Sequence, residues 1–195
     1  MKPAWSTDLG ARRAAGISLI ELIVFILVVG VALAGVLSAI NIGARRSADP
    51  MVRKQALAAA ESLLEEIEQQ PFTFCDPRDA NAQTATNAAG CATASFSMDN
   101  AANWGSGKTR YGPTFFDNVA DYNNFTMNGS LNDIFQQAAS RLNGYSATVS
   151  VSQVGTGFGL TNNADALRID VTVTGSGDSV TLSGFRFRHS PNLVD

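Results

Sequence analysis

The segment "AAGISLIELIVFILVVG", residues 14 to 30, opens a stretch in which residues 17 to 42 are nearly all apolar, yet a carboxylate, Glu21, lies inside it. Leu22 to Ile40 carries no formal charge. As a helix it would be about 28 Å long, against a bilayer hydrocarbon core of about 30 Å. A soluble protein could hide such a helix only inside a large core, and the polar remainder of this chain supplies none. A cleaved secretory signal would use Arg12 and Arg13 as its basic region and Ala32-Leu33-Ala34 as a cleavage site before Gly35. Against it, Glu21 falls within the apolar region such a signal requires, and no cysteine follows to make a lipoprotein. A plain membrane anchor fits the length but leaves Glu21 unexplained, because an ionisable group in a membrane segment costs several kcal/mol and normally has a partner or a task. Orientation stays open, since Lys2, Arg12 and Arg13 on one side face Arg45, Arg46, Arg53 and Lys54 on the other.

Beyond the apolar run, 195 residues with a net charge of −3 leave room for one modest domain and show no basic face for nucleic acid. Asp49 can cap a helix whose first position is Pro50, so the long helix is expected to kink or restart there. Apolar positions 52, 56, 60, 63, 64 and 67 form one stripe, the acidic cluster at 61 to 68 reads as a solvated face, and Pro71 ends the element. Residues 72 to 130 read as a long irregular connection. Cys75 and Cys91 flank a polar loop within it, and in an oxidising compartment they pair as one disulfide, contributing about 3 kcal/mol by loop closure. Two thiols and the one histidine, His189, are too few for a zinc site.

The C-terminal part predicts a short helix over 131–143, capped by Ser130, carrying Leu131, Ile134, Phe135, Ala138 and Leu142, and stopped by Gly144. Three alternating runs follow within 145–189, "YSATVSVSQV", "ALRIDVTVT" and "SVTLSGFRFRH", separated by turn residues; they predict an antiparallel meander. A slip at Gly184, from Val180 and Leu182 to Phe185 and Phe187, suggests a bulge. The fold class is α+β, a long N-terminal helix packed on a small antiparallel sheet.

No enzyme is expected. "ANWGSGKT" (102–109) approaches a phosphate-binding loop, but Ala102 stands where the first glycine belongs and Gly112-Pro113 forbids the helix that should follow. "GTGFG" (155–159) lies between strands and reads as a turn. His189, the one available imidazole, sits beside Pro191 near the C-terminus. Asp117 with Asp121, or Asp76 with Asp79, could bind calcium through oxygen ligands, although turn capping explains such loop aspartates more simply. Trp104 and Tyr111 are loop aromatics available for a subunit contact.

The polar leader ending in Gly16, then "ISLIEL" (Ile17 to Leu22), then the apolar helix, resembles the processing site of type IV pilins and pseudopilins. The resemblance implies cleavage between Gly16 and Ile17 by a prepilin peptidase, N-methylation of Ile17, and Glu21 as the fifth mature residue. Glu21 would pair with the Ile17 amine of a neighbouring subunit and set axial register. "SADPMVRKQALAAAESLLEEIEQQPF", the loop beginning "CDPRDAN" and "FDNVADYNNF" are similar to the MshD-type minor pilins of mannose-sensitive haemagglutinin (MSHA) pili. Many major pilins carry a proline early in the membrane helix; here Gly30, Gly35 and Ser38 occur instead.

The implied layout is a cleaved leader (1–16), a long helix (17–70, with a membrane or filament half 17–42 and an amphipathic half 50–70) and a globular head (71–195). The implied partners are the peptidase, other major and minor pilins, an inner-membrane assembly platform, and lipid before assembly. No cofactor, metal or nucleic acid is implied. The protein would be single-pass in the inner membrane with a periplasmic head, then part of a surface pilus serving adhesion or motility. A minor pseudopilin of type II secretion would share the helix, a tip-displayed head could bind a ligand, and an enzyme with a signal peptide would begin at Gly35.

Overall fold

The computed structural model describes residue 16 and residues 18–192. The chain divides into two compact units, Met1–Ser47 and Ala48–Asp195. One helix, α1 (Leu19–Glu68), contributes to both. It runs through Pro50, so the expected restart at Asp49 does not occur. A proline inside a helix removes one hydrogen bond without necessarily ending the element. The leader and Ile17 lie outside the described residues.

In the first unit, Leu19–Asn41 is long and apolar enough to cross a membrane, and none of it is buried. Leu19, Phe25 and Leu37 are 77, 65 and 67% exposed. A helix apolar on every side requires hydrocarbon or other protein around it.

The second unit is built the opposite way. Ala56, Ala60, Leu63 and Ile67 of α1 are buried at helical spacing, with Val52 and Leu64 packed beside them, which matches the expected stripe. They meet a four-stranded antiparallel sheet of order β1-β4-β5-β6: β1 (Thr126–Met127), β4 (Tyr145–Gln153), β5 (Ala166–Gly175) and β6 (Asp178–Phe187). Alternate residues point at the helix, Tyr145, Ala147, Val149 and Val151 from β4 and Leu167, Ile169, Val171 and Val173 from β5. Ser176 and Gly177, both at positive φ (51° and 86°), form the two-residue turn that joins β5 to β6 with the twist a hairpin prefers.

Two expectations are corrected here. The segment 131–143 is a hairpin rather than a helix: β2 (Ser130–Asn132) pairs antiparallel with β3 (Ala138–Asn143). Asp133 decides between them, because its side chain accepts hydrogen bonds from the backbone N–H of Phe135 and Gln137 and ties a turn. Leu131 and Leu142 still reach the core, whereas Ile134 and Phe135 stay exposed at the tip. The second correction is that β6 has no bulge at Gly184; its register with β5 is unbroken from Asp178 to Phe187. The apolar residues change face instead. Val180 and Leu182 pack towards α1, while Phe185 and Phe187 join Phe158 on the outer face, with centroids 5.4 and 5.1 Å from it. Gly184 allows a close approach of helix and sheet, since a Cβ would stand 3.0 Å from Leu64 Cδ1 and run into the Glu68 carboxylate.

The long connection between α1 and β1 is ordered by side chains rather than by regular structure. Cys75 and Cys91 are bonded. Asp79 laces the loop they close by accepting from the N–H groups of Asn81, Ala92 and Thr93 at 2.8, 2.9 and 3.0 Å. Arg188, just past β6, lies over the rings of Phe72 and Phe74 (4.6 and 4.9 Å) and pairs with Asp99 and Asp165 at 2.8 and 3.2 Å.

Candidate functional site

Glu21 lies in the first turn of α1 on an otherwise apolar surface. Its neighbours at helical spacing, Val24, Phe25 and Val28, are all exposed. Among the described residues, no basic side chain lies within ion-pair distance of it. An acidic residue at a helix N-terminus suits the helix dipole, but a carboxylate taken into hydrocarbon or protein needs a cation. Gly16, two residues before the described backbone resumes at Ser18, is exposed and outside the helix. Among the described residues, Leu19–Asn41 therefore presents an unburied apolar surface and one charge, Glu21.

In the second unit, the buried charges Lys108, Arg110 and Arg188 meet carboxylates of the same unit. Lys108, the lysine of "GSGKT", has no exposed side-chain surface. Its Nζ lies 2.7 Å from Asp76 Oδ2 and 2.8 Å from Asp121 Oδ2, and it also donates to Asp117 Oδ1. At Asp117 and Asp121, the calcium alternative, the structure places the ammonium group of Lys108 against both carboxylates. Among the described residues no group of three or more His, Cys, Asp and Glu could hold a metal ion.

The three carboxylates differ in their other partners. Asp76 receives Arg78 through Nε and Nη2 at 3.0 and 3.1 Å. Burial works to raise its pKa, but Arg78 and Lys108 outweigh burial and hold the carboxyl below its usual range. Asp121 accepts the backbone N–H groups of Gly105, Asp117 and Asn118 at 3.0, 3.1 and 3.1 Å. The carboxylate of Asp117, at the rim, has Lys108 as its only hydrogen-bond partner among the described residues. Its pKa is raised by burial and by the charges of Asp121 and Asp76, against the pull of Lys108. Burial alone would lower the Lys108 pKa, yet the surrounding carboxylates hold it above the usual value.

A second internal cluster lies where the sequence predicts a solvated acidic face. Glu66 accepts from Arg110 Nε and Nη2 (2.7 and 2.6 Å) and from the Tyr122 hydroxyl (2.9 Å), while Arg110 Nη1 reaches the carbonyl of Asn132 at 2.8 Å. Burial and the Glu66 charge push the Tyr122 phenol well above its usual value. Burial opposes the Arg110 charge, and the Glu66 carboxylate more than restores it. Nothing local in the sequence signals this pairing, whose members are 44 residues apart.

The remaining candidates resolve as structure. Trp104 is half-buried against the core and donates through Nε1 to the Met98 carbonyl at 2.8 Å. Tyr111 packs edge-on to Phe125, with centroids 6.2 Å apart. His189 is exposed, past the end of β6, and interacts with the carbonyl of Phe187, the last residue of that strand. "GTGF" forms a single 3-10 turn. Comparison with protein-family models, curated proteins and solved structures gives no match.

Proposed function

We propose that the chain is a minor type IV pilin of the MSHA type, a non-enzymatic filament subunit that is processed after Gly16, held by its N-terminal helix in the inner membrane, and then built into a surface pilus. The observation that carries this reading is Leu19–Asn41, a helix apolar all round, wholly exposed, with Glu21 as its one charge at the N-terminal end. An antiparallel sheet packed on the second half of the same helix fits the pilin architecture. The disulfide fits an oxidising compartment such as the periplasm.

In this mechanism lipid covers the helix before assembly and neighbouring helices cover it afterwards. Transfer between two apolar surroundings makes the hydrophobic effect nearly neutral, so close packing and specific polar contacts decide association. Peptidase cleavage frees an α-amino group at Ile17, four residues from Glu21. In a staggered bundle that amine meets the Glu21 carboxylate of the adjacent subunit. An unmatched register would bury one charge alone, at a cost of about 3–5 kcal/mol, so the pair selects one stagger. The partners are the prepilin peptidase, other major and minor pilins, and the inner-membrane assembly platform.

The test is Glu21→Ala in cells that make the filament. The variant is expected to insert and be processed but to be missing from sheared filaments. Incorporation at the wild-type level would remove the proposed role of Glu21.

A further inference from the structure

The Lys108 cluster holds a nucleophile, an electrophile and a proton carrier in contact. We propose that Lys108 and Asp117 condense after folding into an intramolecular isopeptide bond, with Asp121 as the group that moves the proton. The proposal does not depend on the filament reading, because it rests on the head alone.

The nucleophile is Lys108 Nζ, whose side chain is fully shielded from solvent. Of its three carboxylates, Asp76 is committed to Arg78 and Asp121 to three backbone N–H groups. Those donors occupy the oxygens of Asp76 and Asp121, and a carboxylate held in this way does not surrender oxygen to an amine. Asp117 lacks such donors; its Oδ1 is held by Lys108 alone among the described residues. Burial and two neighbouring negative charges raise its pKa, which favours the acid form that an amine can attack. Its side chain is one-third exposed, which gives the released water a way out.

Asp121 Oδ2 lies 2.8 Å from Lys108 Nζ and accepts the backbone N–H of Asp117 at 3.1 Å, which holds it against the nucleophile and beside the residue that carries the electrophile. It takes a proton from the ammonium and passes it to the Asp117 carboxyl. The neutral amine attacks Asp117 Cγ, the Nζ–Cγ bond forms and one Cγ–O bond breaks. The departing oxygen leaves as water carrying the two protons given up by nitrogen, and Asp121 returns to its starting state. No oxidant, reductant or co-reactant is consumed. Fixing the reactants in contact replaces the entropy cost of a bimolecular encounter, the effect that makes intramolecular reactions fast. The carboxylates keep most Lys108 protonated, so condensation is a slow maturation step.

The experiment is intact-mass measurement and tryptic mapping of the full-length protein in detergent, after reduction of the disulfide. The expected product is one water lighter than the uncross-linked chain. Cleavage after Lys108 is lost, and the peptide 79–110 is joined to 111–141. Lys108→Arg keeps the charge and should abolish the link. Asp117→Asn should still form it, losing ammonia instead of water, and Asp121→Asn should leave the head folded and the link unformed. A wild-type chain of full mass that is cut normally at Lys108 overturns the proposal. A link that forms unchanged in Asp121→Asn overturns the role of Asp121.

Discussion

The two units of the chain treat unsatisfied chemistry in opposite ways. In the first, Leu19–Asn41 leaves its whole apolar surface open and Glu21 without a cation among the described residues. In the second, Lys108, Arg110 and Arg188 are each nearly or wholly buried and each is matched to carboxylates of the same unit. A unit that satisfies its own charges can fold alone. The apolar helix needs hydrocarbon or other protein around it, and under the proposed function that surrounding is first lipid and then neighbouring subunits.

The largest effect should come from separating the two. A fragment of residues 48–195 is expected to be soluble, monomeric and cooperatively folded, whereas the full chain needs detergent; light scattering with circular dichroism reads both. A fragment that aggregates or unfolds would show that the head depends on the apolar half. Next, Lys108→Met should destabilise the head by about 3–5 kcal/mol in urea unfolding, because it leaves buried carboxylates uncompensated. Acid acts on the same cluster. Arg78 and Lys108 hold the folded Asp76 carboxyl below its usual range, so its contribution is full above that range and is lost as pH falls through the lower folded value. The urea midpoint is accordingly expected to drop on the acid side of the usual carboxylate range, partly offset by Asp117, whose raised pKa acts the other way.

Smaller effects follow from the covalent and steric details of the head. Cys75→Ser with Cys91→Ser should cost about 3 kcal/mol by reopening the loop, leaving the membrane behaviour of the helix unchanged. Gly184→Ala, which drives a methyl group against Leu64 and Glu68, should cost about 1–3 kcal/mol. No change in either unfolding experiment would mean that the connection and the helix–sheet contact are looser than described.

The parts legible from the sequence are those fixed by a repeating pattern. The apolar run, the stripe at 52, 56, 60, 63, 64 and 67, and the alternation of β4, β5 and β6 each report a buried or exposed face through many residues at once. The hairpin at 130–143 was not legible, because Leu131, Ile134, Phe135, Ala138 and Leu142 match helical spacing and only the side chain of Asp133 breaks it. Phe185 and Phe187 imitated a register slip, since an outer aromatic cluster with Phe158 is invisible to a rule that places apolar residues inside. The charge clusters were hidden for a different reason. Asp117 and Asp121 flank one turn and are legible as a pair in the sequence, but Lys108 and Asp76 reach them across 9 or more residues, and Glu66 meets Arg110 across 44. No periodicity connects such residues; only the folded chain brings them together.

The central claim is that the apolar helix belongs to a processed filament subunit, and the mature N-terminus tests it most directly. Mass spectrometry of the protein recovered from its native cell should find a chain beginning at N-methylated Ile17. A chain beginning at Gly35, or one retaining residues 1–16, would contradict the account.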